Sequence, residues 1–364
     1  MNIEEMDWDE IDELVESTTH GRNRMELCRK AWEKADKYEY YMQQMYYRLE
    51  YMRESAFYDD NLEMYVVYPS ILKLHDQHIK EYGYDSFTET VIWRYKWLLG
   101  DAADFYQISQ KQFEMFSEDF KKRCIQNGYS LRSYYQKRFG FYKYIDAEKA
   151  AECYHQFLKC NRDDLSDCHA CERYTEVEYL LNIDELEQAL DKATPILRGE
   201  LTCKEEPEGV YGSLLRYYNQ KMKKGNMEYK EAAGEICEKL RQSMVRRGVA
   251  EDCAVDILMY YSLAEPNKAL GYYKKKWSLF ETNRNPEVKL YFAIAAMQFF
   301  NNLKGKTSYK MSLDATFPFH NEKNVYNVAE LKSYYRTAAE EIAEKLDQRN
   351  GSSHYMDLVK LYSE

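Results

Sequence analysis

Residues 38–52 read Tyr-Glu-Tyr-Tyr-Met-Gln-Gln-Met-Tyr-Tyr-Arg-Leu-Glu-Tyr-Met. Tyr38, Tyr41, Met42, Met45, Leu49 and Met52 recur with helical spacing, which predicts one apolar stripe on a 3.6-residue helix. Working outward, the same reading extends over nearly the whole chain. It predicts about a dozen or more helices of roughly 12–20 residues joined by short turns, and no stretch shows the period-two pattern of a strand. Boundary signals agree. Asp184 with Glu187, and Asn327 with Glu330, read as N-caps with a reciprocal acid three residues on. Pro207 and Pro266 suit a first helical turn, where a missing N–H costs nothing. Gly128, Gly199 and Asn350-Gly351 suit C-terminal stops. The expected fold class is all-α.

Composition narrows the class further. The chain has 364 residues with only 14 Gly and 6 Pro, too few breakers for collagen-like, β-sandwich or low-complexity chains. A mean hydropathy of −0.75 argues against a multi-span membrane protein, while 45% hydrophobic residues suffice for a large core. Lys+Arg number 51 against 62 Asp+Glu, a formal charge of −11. Eight of the acids fall in residues 1–20, which hold no Lys or Arg. An acidic N-terminal segment on a near-neutral body lacks the clustered cationic face that phosphate binding needs, so no nucleic-acid partner is expected. The basic run Lys221, Lys223, Lys224 reads as a solvated turn. The N-terminus has neither a basic n-region nor an apolar h-region, and no run approaches the ~18 apolar residues that cross a bilayer. A cytoplasmic protein without a membrane partner is expected, its nine Cys as thiols.

Four segments share a signature: Ala147-Glu148-Lys149-Ala150, Leu186-Glu187-Gln188-Ala189, Tyr229-Lys230-Glu231-Ala232 and Pro266-Asn267-Lys268-Ala269. Their last alanines are separated by 39, 43 and 37 residues. A small residue at that place lets the preceding helix approach closely, as stacked helical hairpins require. Tyr211, Leu214, Leu215 and Tyr218 stand ahead of Ala232, and Cys253, Ile257 and Tyr260 ahead of Ala269.

With these residues the chain resembles the tetratricopeptide repeat (TPR) family, whose first helix carries bulky and small residues at set positions and whose second carries the small alanine. The resemblance covers residues 130–302 and departs before Ala150 and Ala189, where Lys137 and Arg138 stand at positions the family gives to small or apolar residues. A narrower resemblance rests on Arg162-Asp163-Asp164-Leu165-Ser166-Asp167-Cys168-His169-Ala170-Cys171, on Leu201-Thr202-Cys203 with Pro207, and on Asp347-Gln348-Arg349-Asn350-Gly351. It is to a bacterial group of TPR-like proteins with no established activity. The resemblance implies a TPR-like α-solenoid, a right-handed superhelix of antiparallel helix pairs. The implied division is an acidic segment 1–20, N-terminal degenerate repeats 21–129, TPR-like repeats 130–302, and a linker with C-terminal capping helices 303–364. Successive first helices would line a concave groove with Arg132, Tyr135, Gln136, Tyr142 and Lys143, then Tyr174, Thr175 and Glu178, then Arg216, Asn219 and Gln220, and finally Tyr261. Cations, amides and phenols of this kind suit peptide backbone and carboxylate groups. Arg216 is the expected anchor, because Arg grips a carboxylate bidentately.

Cys168-x-x-Cys171 is the sharpest local chemical feature. Two thiolates at that spacing can hold one tetrahedral Zn²⁺, and Cys203 could fold back to join them, with His169 or Asp167 as a fourth ligand. Cys160 lies nearby in sequence. The alternatives are packing thiols or a redox pair, although a redox pair normally follows a strand. Asp163, Asp164 and Asp167 read as helix-capping acids, since a Ca²⁺ loop would want a mid-loop Gly. His75 and His78 could share a helix face but have no third ligand in sequence. No GxSxG, P-loop, GxGxxG or HExxH motif is present. Tyrosine is the outlier, 36 residues with seven Tyr-Tyr doublets. A helical doublet can send one ring to the core and one to the surface.

These readings point first to a non-enzymatic scaffold that binds a protein or peptide in its groove, a second copy of the chain included, and needs no cofactor. The second reading is a peptide-sensing TPR regulator without a DNA-binding domain. The third is an enzyme with a zinc or thiol site around Cys168.

Overall fold

The computed structural model describes residues 3–58, 62–248, 251–303 and 305–363. Among them lie eighteen α-helices. The first six are α1 Trp8–Ser17, α2 Arg22–Lys37, α3 Tyr41–Tyr58, α4 Leu62–Tyr82, α5 Thr88–Asp101 and α6 Gln110–Gln126. The middle of the chain forms α7 Arg132–Tyr142, α8 Ala147–Lys159, α9 His169–Asn182, α10 Leu186–Leu197, α11 Glu208–Lys223 and α12 Lys230–Arg247. Then follow α13 Ala254–Ala264, α14 Pro266–Lys276, α15 Ser278–Thr282, α16 Pro286–Asn301, α17 Val328–Asn350 and α18 His354–Ser363. A short ribbon departs from the purely helical expectation: β1 Ser308–Lys310 pairs antiparallel with β2 Val325–Asn327, Tyr309 opposite Tyr326. No helix of the described residues is long and apolar enough to cross a membrane.

Local chemistry explains the boundaries. Asp7 with Glu10 and Ser109 with Gln112 form reciprocal capping boxes. Asn327 caps α17 by accepting from the Ala329 and Glu330 N–H groups, Pro266 opens α14, and Gly351 ends α17 in the left-handed conformation. Asp184 is a correction. It sits at φ 66° in the turn before α10 and caps nothing; its carboxylate instead accepts from the Tyr217 hydroxyl and Lys221. Lys221 and Lys223 belong to the last turn of α11, not to a loop. The stripe that begins the sequence reading also shortens. Met45, Leu49 and Met52 are buried, whereas Tyr38 lies between helices and is exposed, as is Met42.

Consecutive helices pack in pairs: α2 on α3, α7 on α8, α9 on α10, α11 on α12, α13 on α14 and α16 on α17. Alternate helices also touch, α5 on α7, α9 on α11 and α11 on α13, and α13 packs on α16. Ala150, Ala189 and Ala269 are buried as the close-approach reading requires. Ala232 is only half-buried; its neighbour Ala233 takes the contact and is fully buried. Two adjacent small residues left the phase of α12 open by one position. The buried apolar residues form two clusters, one running from Ile3 to Leu165 and one from Val177 to Tyr362, with Tyr179 packed against both. The 129/130 division drawn from the repeat pattern falls inside the first cluster.

The C-terminal helices do not merely cap the chain. The Arg349 guanidinium donates to the carbonyls of Ala102, Ala103, Phe105 and Ile108. Gln110 returns hydrogen bonds to the carbonyls of Arg349 and Asn350. His354 stacks on Tyr144, with ring centroids 4.3 Å apart. The end of α17 and the start of α18 therefore close onto the segment between α5 and α6.

Candidate functional site

The residues expected to line a concave face are brought onto α7, α9, α11 and α13, but mostly as partners of one another. Arg132 donates in a fork to Glu172, 2.8 and 3.0 Å, and to the carbonyls of Phe157 and Cys160. Gln136 is buried and donates to Thr175 Oγ1 at 3.0 Å. Tyr142 is buried with its hydroxyl on Glu114, and Tyr135 packs edge-on against Tyr134. Lys143 pairs with Glu178 at 2.8 Å. The Tyr174 hydroxyl accepts from Ser213 at 3.3 Å. Arg216 grips Asp256 bidentately at 3.0 and 3.1 Å and lies 3.9 Å from the Tyr291 ring centre. Asn219 is buried and donates to the Asp256 carbonyl; Tyr261 is buried against Tyr272. Gln220 keeps partial exposure.

This corrects the expectation of an accessible row. Gln136, Tyr142, Asn219 and Tyr261 are core, and Arg132 and Arg216 are already satisfied. The reason has a period. Arg132 and Glu172 are 40 residues apart, as are Arg216 and Asp256; Gln136 and Thr175, and Tyr174 and Ser213, are 39 apart. Each pair joins residues 39 or 40 apart on alternate helices, so the polar row is a ladder from α7 to α9, α9 to α11 and α11 to α13. A search for a basic residue with an acid one repeat downstream would have found it.

What remains open on that face is a polar crevice of about 70 Å³ bordered by Tyr144, Glu178, Ser213, Arg216, Tyr217 and Gln220. Leu358 and Tyr362 of α18 border a second small cavity together with Arg216, Asn219 and Asp256. A larger cleft, about 610 Å³, lies at a seam between the segment after α5 and the start of α16. It is lined by Tyr106 and Gln107, by the 281–289 segment and by Ile342 of α17. Asn285 ties the sides together by donating to Asp104 at 2.7 Å. Burial, with the Glu287 and Asp101 charges nearby, raises the Asp104 carboxyl well above its ordinary value. Sequence reasoning missed this cleft because its walls stand about 180 residues apart and carry no local motif.

The thiols do converge. The sulfur atoms of Cys168, Cys171 and Cys203 lie within 4.8 Å of one another, Cys171 and Cys203 3.5 Å apart, and all are free. Cys168 is the N-cap of α9 and its sulfur accepts from the Cys171 N–H. Burial opposes its ionisation, but backbone N–H groups bring the Cys168 thiol below its ordinary value. Burial and the two neighbouring sulfurs raise Cys171; burial also raises Cys203 against the Glu205 and Glu206 N–H groups. Glu206, buried beside them, is pushed up to about 8 by desolvation. The proposed fourth ligands stand apart. His169 is exposed and outside the cluster. Burial would raise Asp167, but Lys137 and Lys96, at 2.8 and 2.6 Å, hold it well below the carboxylate range. Cys160 is also outside the cluster.

Compared with known proteins, no family model, curated protein or solved structure matches the chain. Side-chain geometry carries the functional reading.

Proposed function

We propose that this chain is a non-enzymatic helical-repeat scaffold, TPR-like in its stacking, that takes an extended peptide segment of a partner protein. The succession of helix pairs, with alternate helices also in contact, supports a solenoid of stacked hairpins. The observation that carries the binding reading is the difference in room between the two openings. The inner crevice, about 70 Å³, admits a few waters or one short side chain. The seam cleft, about 610 Å³, lies in the range of ligand-sized sites. Its walls offer a phenol, an amide, both signs of charge and an apolar side chain, a mixture that matches backbone amides interspersed with side chains. That difference in room favours the seam over the groove as the binding surface.

A display library of random peptides selected against the intact chain tests this. Selected peptides should crosslink from photoreactive groups placed at Gln107 and Lys289. Lys289→Glu should weaken their binding about tenfold or more, the loss of one good charged contact, without moving the melting midpoint. Peptides that crosslink only elsewhere, or that bind Lys289→Glu equally well, refute the seam assignment.

A further inference from the structure

We propose that Cys168, Cys171 and Cys203 form a three-thiolate site for a soft divalent cation, Zn²⁺ by chemistry, that joins the start of α9 to the loop before α11. The first argument is spacing. Four sulfur-type ligands 2.3 Å from a tetrahedral zinc lie about 3.8 Å from each other. The three sulfurs here already fall within 4.8 Å, from two chain segments 32 residues apart. Cys171 and Cys203, free thiols 3.5 Å apart, already stand near that ligand-to-ligand spacing.

The second argument is local structure. Cys168 is the N-cap of α9 and its sulfur accepts from the Cys171 N–H at 3.4 Å, so the first turn of the helix holds the Cys168 and Cys171 side chains on the side that Cys203 approaches.

Third, both segments are fixed from outside. Arg247 donates to the carbonyls of Cys203, Lys204 and Glu206. Arg162 donates to the Asp167 carbonyl, just before Cys168. Outer contacts of this kind set the orientation of first ligands. Among the described residues no fourth His, Cys, Asp or Glu atom joins the cluster within the same distance. Since Cys168 is exposed, the fourth position faces solvent and takes water or an exogenous donor, as in zinc sites that are not purely structural. Binding Zn²⁺ releases the thiol protons to solvent and requires no oxidant. The inference is independent of the peptide reading.

The test is anaerobic titration of the full, reduced chain with Co²⁺ and then Zn²⁺. One equivalent of Co²⁺ should develop thiolate charge-transfer absorption, and Zn²⁺ should displace it. Cys168→Ser is the decisive variant, because Ser is itself a favoured N-cap and α9 should keep its start. It should lower affinity by about tenfold or more, the scale seen when even outer partners are lost, at an unchanged melting midpoint in the apo state. Cys160→Ser should bind as the parent does. Absence of the charge-transfer band, or equal binding by Cys168→Ser, overturns the proposal. So does finding only a Cys171–Cys203 disulfide on air exposure with no metal uptake by the reduced chain, which would assign the cluster to redox chemistry.

Discussion

Replacing Arg216 by Ala distinguishes a residue that waits for a partner from one that holds the fold. In the structure Asp256 is 4% exposed and Arg216 29% exposed. Both oxygens of the carboxylate are engaged by the guanidinium at 3.0 and 3.1 Å. Removing Arg216 strands a buried carboxylate, a loss of about 3–5 kcal/mol. Asp256→Asn leaves the cation, which can turn part of its surface to water, so its cost should be smaller, about 1–3 kcal/mol. Replacing both, Arg216→Ala with Asp256→Asn, should recover part of the loss, because the neutral amide no longer leaves a buried charge unpaired. Denaturant midpoints of the four proteins, followed by far-UV circular dichroism and intrinsic fluorescence, measure the coupling.

The pH dependence gives the same argument a second reading. Burial raises the Asp256 carboxyl above its ordinary value, although Arg216 lowers it. A folded-state value above the unfolded one means that the folded chain binds more protons between the two. The stability linked to this group is complete at acid pH and lost as pH rises through the raised value. Without Arg216 that value moves further up, so the deficit of Arg216→Ala should widen from about pH 4 toward neutrality, by up to ~1.4 kcal/mol for each unit of added shift. An unchanged midpoint in Arg216→Ala, or a deficit that is flat with pH, would refute the ion-pair assignment and return Arg216 to the role of a ligand anchor.

Two further outcomes test the packing and the seam. Ala233→Leu should cost about 1–3 kcal/mol by overpacking α12 against its neighbours, whereas Ala232→Leu, half-buried one position away, should stay within about 0.5 kcal/mol; equal losses in urea midpoints would place the close contact elsewhere. Asp104, raised by burial and by the nearby charges of Glu287 and Asp101, should make the parent less stable as pH rises out of the ordinary carboxylate range. Asp104→Asn keeps an acceptor for Asn285 and should flatten that slope in melting curves recorded from pH 4 to 8; an unaltered slope would show that another group carries it.

How much of this was legible in sequence depends on distance along the chain. Helices, the Asn327 cap, Pro266 at a helix start and Gly351 at a stop are set by neighbours within four residues, and they read correctly. Three of the four close-approach alanines also read correctly, since one apolar face fixes their phase. The fourth failed because Ala232 and Ala233 offer the helix two equally small choices. Asp184 failed because its side chain has partners on α11, 33 and 37 residues away, that outcompete a local cap. The thiol cluster was partly legible. Two of its members share a short motif, and the third is placed by folding of the intervening hairpin. The seam was not legible at all, because Arg349 meets carbonyls more than 240 residues earlier.

That last contact changes what an open-groove reading can mean here. A guanidinium surrounded by four main-chain carbonyls gains hydrogen bonds, and burial lowers the Arg349 value below the ordinary one although the nearby Asp104 and Glu287 charges oppose the shift. Such a cation is tolerated only where the geometry of closure is itself stabilising, and here α17 and α18 bury Tyr335, Leu346, Tyr355 and Tyr362 in the second core. Tyr355 reaches across to Glu287 at 2.8 Å, and Leu358 and Tyr362 border the same small cavity as the Arg216–Asp256 pair. A partner entering the inner face would have to displace these rings and break the ladder beneath them. The cleft of about 610 Å³ beside Tyr106 and Lys289 is open without displacing either. On the proposed reading, the helices that fill the inner face also border the binding cleft, through Ile342 of α17.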